Sequence, residues 1–255
     1  MSDEAILTEE RDGILIVTIN RPDARNAVNG DVAGGMAAAL DRLDADDDLR
    51  VGVVTGAGGY FSAGMDLKAF VQGESPYAGD RGFAGITQRS SRKPLIAAIE
   101  GFALAGGFEI ALSCDLIVAS REARFGIPEV KRSLVAAGGA LLRLPKRIAY
   151  HVAMELALTG EPMSAERAQE VGIVNRLAEP GEALDTALEL ARQIVKNAPL
   201  ALIASKEILQ KAVDWSEEEG WQKQGEISGP VFVSEDAREG ATAFAEKREP
   251  VWRGR

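Results

Sequence analysis

One cysteine and one histidine are all that the 255 residues contain. The lone Cys114 excludes a disulfide framework and any cysteine-built zinc site. The lone His151 falls in a helical pattern, Ala149 to Leu158, and reads as structural. It removes most metal sites and makes a histidine-based triad depend on a single residue, so no metal is expected. Positive charge is also scarce: 29 Lys and Arg face 39 Asp and Glu, a net charge of −10 that argues against nucleic acid as a partner. Any polyanionic ligand would need local basic residues against that field. No apolar run approaches the ~18 residues needed to span a bilayer, so no membrane partner is expected. The opening Met1-Ser2-Asp3-Glu4 lacks the basic start and apolar run of a signal peptide, and a cytoplasmic location is expected.

The length suits one large domain, or a domain with an appendage, and is enough to bury a sizeable core. Strand patterns and helix patterns alternate up to about residue 180. Gly13 to Asn20 pairs with Ala5 to Glu10 through a turn at Asp12-Gly13. A helix from about Asp31 to Asp44 carries Val32, Met36, Leu40 and Leu43 on one face. Val51 to Thr55, Leu95 to Ile99, Leu116 to Ala119 and Ile173 to Leu177 read as further strands. Gly138 to Lys146 and Ile148 to Thr159 read as helices separated around Pro145, and Ser164 to Val171 as a short helix capped by Ser164. From Gly181 the pattern is all helical, with Pro199, Pro230 and Pro250 punctuating it. The fold class is therefore α/β, with a core over residues 1–180 and a helical C-terminal region over 181–255.

Two acids stand out in the most apolar stretch of the chain, Lys93 to Gly139. Glu109 sits in a segment from Gly106 to Cys114 that is apolar on almost every face, and a helix apolar all round is buried. An ionised carboxylate there is costly unless paired, hydrogen-bonded or protonated. Glu129 follows the turn Phe125-Gly126-Ile127-Pro128. One account is a pair of acids poised for proton transfer; the other is a core glutamate held by a backbone donor or an arginine. The double glycine Gly106-Gly107 favours the first, because the opening N–H groups of a helix have no internal acceptor and can hold an oxygen that becomes negative. The loop Gly56 to Leu67 follows a strand but is neither a dinucleotide fingerprint, since Phe61 fills the third glycine position, nor a phosphate loop, since Met65 and Asp66 follow Gly64. With small Ala63 and Gly64, it can present a second backbone donor.

Arg21-Pro22 with Asn26-Ala27, Phe61-Ser62-Ala63-Gly64-Met65-Asp66-Leu67, Gly101 through Asp115, Phe125-Gly126-Ile127-Pro128-Glu129 and the ending Ala243-Phe244-Ala245-Glu246-Lys247-Arg248 come in an order that resembles the crotonase superfamily, the enoyl-CoA hydratase/isomerase family. The resemblance covers essentially the whole chain. It implies a spiral of strand–strand–helix units and a helical C-terminal region used to form trimers, commonly paired into hexamers. It implies that Ala63 and Gly106 hold the thioester oxygen of an acyl-CoA, with Glu109 on the attacking water and Glu129 on the α-proton. Coenzyme A would then be part of the substrate, and no resident cofactor is expected. Arg25, Ala27, Asp66 and Lys68 match positions of the substrate- and CoA-binding region, and Lys247 one that reaches CoA from a neighbouring subunit. One departure is Ala136-Ala137 where many hydratases carry proline and glycine. The Pro128 to Lys131 and Leu142 to Pro145 segments also resemble the carnitinyl-CoA dehydratase branch. Hydration of a trans-2-enoyl-CoA is the leading expectation; a double-bond isomerase, a carnitinyl-CoA dehydratase-like enzyme and a non-catalytic acyl-CoA- or partner-binding subunit are the rivals. A dehalogenase would need an aspartate–histidine pair that His151 does not supply.

Overall fold

The computed structural model describes residues 4–255; Met1, Ser2 and Asp3, which enter the signal-peptide expectation, lie outside the described residues. Strands β1 (Ile6–Arg11) and β2 (Ile14–Ile19) form an antiparallel hairpin through the Asp12-Gly13 turn, both of whose residues take positive φ. Then follow α1 (Gly30–Ala45), β3 (Val51–Gly56), α2 (Leu67–Val71), β4 (Leu95–Ile99), β5 (Phe102–Leu104), α3 (Gly106–Ala111), β6 (Leu116–Ser120), β7 (Arg124–Gly126), α4 (Ala140–Arg147), α5 (Tyr150–Thr159), β8 (Met163–Ser164), α6 (Ala165–Glu170) and β9 (Arg176–Ala178). Four helices close the chain: α7 (Ala183–Val195), α8 (Pro199–Ala212), α9 (Glu217–Phe232) and α10 (Glu235–Glu246).

Alternation along the strands builds two layers of core. The main sheet runs β1-β2-β3-β4-β6-β9, parallel throughout except for β1. Leu15, Val17, Ile19, Val54, Ala97 and Ile99 face one side, where α1 lays Val32, Met36, Leu40 and Leu43 against them. Ile14, Ile16, Val51, Val53, Ile96 and Ala98 face the other, covered by Ala183, Ala187, Leu188 and Ala191 of α7. Each such large aliphatic side chain contributes about 1.5–3 kcal/mol by leaving water. Parallel sheets need both faces covered, and α7 supplies the second cover. The compositional division at residue 181 thus falls just before a helix that packs on the sheet.

Beyond α7, a buried polar contact docks the tail. Lys206 on α8 pairs with Asp115 at 2.7 Å and donates to the Lys93 carbonyl at 2.8 Å, next to the starts of β6 and β4. A second, small sheet, β5-β7-β8, stands at the other end of these strands and carries the segments that lead into α3 and Glu129. Ser164 caps α6 by accepting the Arg167 N–H, as its position implies. Pro145 and Pro230 lie inside α4 and α9 instead of bounding them; the break between α4 and α5 falls at Ile148-Ala149, where the backbone is extended. The last strand runs Arg176–Ala178, later than the apolar run Ile173 to Leu177 suggests, because Ile173 and Val174 turn back onto the Ala168 carbonyl. No described helix is long and apolar enough to cross a membrane.

Candidate active site

The site assembles where β3 and β4 end. The loop after β3 is held from within by Asn26, a buried side chain that donates to the carbonyls of Ala57 and Tyr60 and accepts from Arg21 N–H. Val28 then forms a parallel bridge with Met65, donating to Gly64 and accepting from Asp66. From β5 the chain reaches Ala105, at φ 51 and ψ −129, a strained backbone for an alanine. That residue turns the chain into α3, so that Phe108 and Glu109 N–H both donate to its carbonyl. The loop and the helix start touch: a Cβ on Gly64 would stand 2.7 Å from the Gly106 nitrogen, and Gly64 itself has φ +91. Only glycine satisfies both demands.

Which backbone donors remain free is a matter of accounting. The donor expected at Ala63 is committed elsewhere, since its N–H donates to the Arg25 carbonyl at 3.1 Å. Gly64 N–H donates to the Ser62 hydroxyl at 3.1 Å and Asp66 N–H to Val28 at 2.9 Å. Among the described residues, Met65 N–H has no acceptor and neither has Gly106 N–H. The bridge explains the shift: a parallel pairing centred on Met65 uses the groups on either side of it and leaves its own N–H unpaired. Left free among the described residues are therefore the N–H groups of Met65, two residues beyond Ala63, and of Gly106.

Glu109 is 4% exposed on α3 and its Oε1 accepts the Ala140 N–H at 3.1 Å. Burial raises it to about 7, and the charge of Glu129 adds to the rise against the N–H groups of Ala140 and Gly138 and the Arg143 guanidinium. A side chain at Gly138 would press on the Glu109 carboxylate and force it to shift. Glu129 lies in a 3₁₀ turn, Pro128–Arg132. Its pKa is raised chiefly by burial, and its Oε2 is buried with no hydrogen-bond partner. Two neighbouring carboxyl groups are thus both raised above the usual carboxylate range, chiefly by burial. No sequence motif marks the N–H groups of Ala140 and Gly138 that meet the Glu109 carboxyl, and buried Ala136 packs in the core.

A family profile described as enoyl-CoA hydratase/isomerase matches residues 9–255. The chain belongs to the enoyl-CoA hydratase/isomerase family. A carnitinyl-CoA dehydratase from Salmonella arizonae is 46% identical over 263 residues, covering the whole of both chains. The crystal structure of an enoyl-CoA hydratase from Mycobacterium tuberculosis H37Rv is 57% identical and superposes with a TM-score of 0.97 over 99% of this chain and all of the other. A carnitinyl-CoA dehydratase structure from Mycobacterium avium 104 is 44% identical, with a TM-score of 0.79 over 98% of this chain and 99% of that one.

The remaining family-motif residues divide in two. Arg25, at φ 53, and Lys68 are exposed on the two segments that the Val28–Met65 bridge joins, and neither forms an ion pair among the described residues. Asp66 is not free to meet a ligand in the same way. One oxygen caps α2 through the N–H groups of Lys68 and Ala69, and the other pairs with Arg21 at 3.0 Å. Although burial opposes it, these partners hold Asp66 below the usual carboxylate range. Ala27 offers its carbonyl to Arg21 as well. Asp66 and Ala27 therefore shape the corner on which Arg25 and Lys68 stand. Lys247, exposed just past α10 with φ 54, belongs to the tail, where α10 packs on α9.

Proposed function

We propose that this chain adds water across the double bond of a trans-2-enoyl-CoA, the thioester arriving as the substrate with its CoA moiety over Arg25, Ala27 and Lys68. The observation that carries this reading is the pairing of two acids with raised pKa, buried Glu109 and half-buried Glu129, with the unpaired N–H groups of Met65 and Gly106. Glu109, ionised, takes a proton from water as its oxygen bonds to the β-carbon. The electron pair of the double bond moves through the α-carbon to the thioester oxygen, which Met65 and Gly106 hold as an enolate. Glu129, protonated, then delivers its proton to the α-carbon as the thioester carbonyl re-forms. Run backwards, the same groups eliminate water. Relatives named as hydratases and dehydratases support hydro-lyase chemistry of this kind.

The assembly belongs to the same proposal: a homotrimer, or two trimers as a hexamer, with Lys247 reaching CoA bound to a neighbour. Trp221 and Phe232 on α9, Val233 just after it and Phe244 on α10 are large apolar side chains exposed to solvent, which a lone chain leaves in water and an oligomer would cover. The test of the reaction is isotopic. Hydration of crotonyl-CoA in heavy water is expected to place deuterium on the α-carbon, and oxygen-18 water to place label in the β-hydroxyl. Movement of a double bond without acquired oxygen would make the enzyme an isomerase, and neither change would make it a binder.

A further inference from the structure

Among the described residues, two buried side-chain oxygens have no hydrogen-bond partner: Glu129 Oε2 and Thr87 Oγ1. The first belongs to the proposed chemistry; the second does not. Thr87 is 3% exposed, and a buried hydroxyl left unpaired is destabilising. Such a group points to a partner from outside the chain.

Its surroundings say which partner. Thr87 closes a tight turn in which the Phe83 carbonyl accepts the N–H groups of Ile86 at 3.3 Å and Thr87 at 3.2 Å, so Phe83 and Thr87 stand at the two ends of one turn. The Phe83 ring lies on Gly106, where a Cβ would come within 2.5 Å of it. On the other side, the Thr87 carbonyl accepts Arg143 Nη2, and Arg143 Nη1 reaches the Gly138 carbonyl at 3.4 Å, beside the Glu109 carboxyl. The turn is pinned from behind by Arg81, 1% exposed, which pairs with Asp41 at 2.7 Å and Asp44 at 3.4 Å and donates to the Arg89 carbonyl at 2.9 Å. Thr87 thus shares a turn with the ring that lies on the Gly106 donor, and its carbonyl holds the arginine that reaches beside the Glu109 acid.

We propose that Thr87 is a specificity-determining residue whose hydroxyl bonds an oxygen on the acyl chain, on the first or second carbon past the β-carbon. The inference rests on the enoyl-CoA reading above. The enzyme then takes hydroxylated enoyl-CoA in preference to the plain alkyl chain, because a site built around a polar group loses its partner when the substrate lacks one.

The experiment compares 4-hydroxy- and 5-hydroxy-2-enoyl-CoA with their unsubstituted counterparts of equal chain length, for wild type, Thr87→Val and Thr87→Ser. The readout is the ratio of kcat/KM between the hydroxylated and plain member of each pair. Wild type and Thr87→Ser are expected to favour at least one hydroxylated substrate by about tenfold or more, and Thr87→Val to bring that ratio close to one. A ratio near one in wild type, or a Thr87→Val variant that lowers both members in proportion, overturns the proposal. Binding of saturated 4-hydroxy- and 5-hydroxyacyl-CoA against the plain acyl-CoAs, by calorimetry, separates the two layers. If no enoyl-CoA turns over but wild type binds a hydroxylated thioester about tenfold more tightly and Thr87→Val does not, the hydration reading fails and the Thr87 assignment stands. If none of these thioesters binds, both fall.

Discussion

The Oε1 atom of Glu109 accepts the backbone N–H of Ala140 at 3.1 Å, which ties the buried acid of α3 to the opening turn of α4. That bond and burial pull in opposite directions, and burial wins: Glu109 is raised from 4.5 to about 7.

Stability should carry the mark of this balance. The native protein holds the Glu109 proton more tightly than the unfolded chain, so the contribution of this group is complete below about 4.5 and is lost as pH rises through about 7. Glu109→Gln cannot ionise and keeps an oxygen for Ala140. Its stability relative to wild type is expected to grow between pH 5 and pH 8, by on the order of 1–3 kcal/mol. Urea unfolding at four pH values in that interval measures it. A pH-independent difference would contradict the buried, raised acid.

Catalysis should respond to both acids. Glu109→Gln and Glu129→Gln are each expected to lower hydration by ~10²–10⁴-fold, the usual worth of a general acid or base, while a CoA product still binds. Since Glu109 must be ionised, the wild-type rate should climb with an apparent pKa near the value of about 7 that Glu109 carries. Turnover close to wild type in both variants would sink the two-acid mechanism.

A third expectation concerns the wall of the site. The Phe83 ring occupies the space of a Gly106 side chain, with ring carbons 2.5 Å from an ideal Cβ. Gly106→Ala should cost about 1–3 kcal/mol by overpacking. Phe83→Leu in the Gly106→Ala background should return part of that loss, a coupling that a double-mutant cycle of denaturation midpoints reads directly. Additive losses would mean that Phe83 does not press on Gly106.

The tail makes the fourth. Sedimentation is expected to give a trimer or hexamer, and truncation before Trp215 should dissociate or unfold it, since α9 and α10 carry Trp221, Phe232 and Phe244 with little of their own chain to cover them. A well-folded monomer at micromolar concentration would argue against that assembly.

Sequence alone was enough for the features that repeat or that carry a chemical contradiction. The near-continuous apolar runs of β2 and β3 announce strands buried on both faces, and the helical stripe of α1 announces its one buried face, because burial must follow the geometry of the element. Glu109 is legible because an acid in an all-apolar helix demands an explanation, and Gly106 because a helix start leaves donors unpaired. Strands β5, β7 and β8 were not legible: two or three residues have no period, and their pairing is decided by chain segments far away in sequence. The same holds for the donor at Met65, which is free only because Val28, 37 positions earlier, takes the groups on either side of it. Ala140 on the Glu109 carboxyl and Thr87 between Phe83 and Arg143 are likewise products of packing. A local pattern tells which groups must be buried or left unpaired; which of them meet is settled only when distant segments compete for the same space and the same hydrogen bonds.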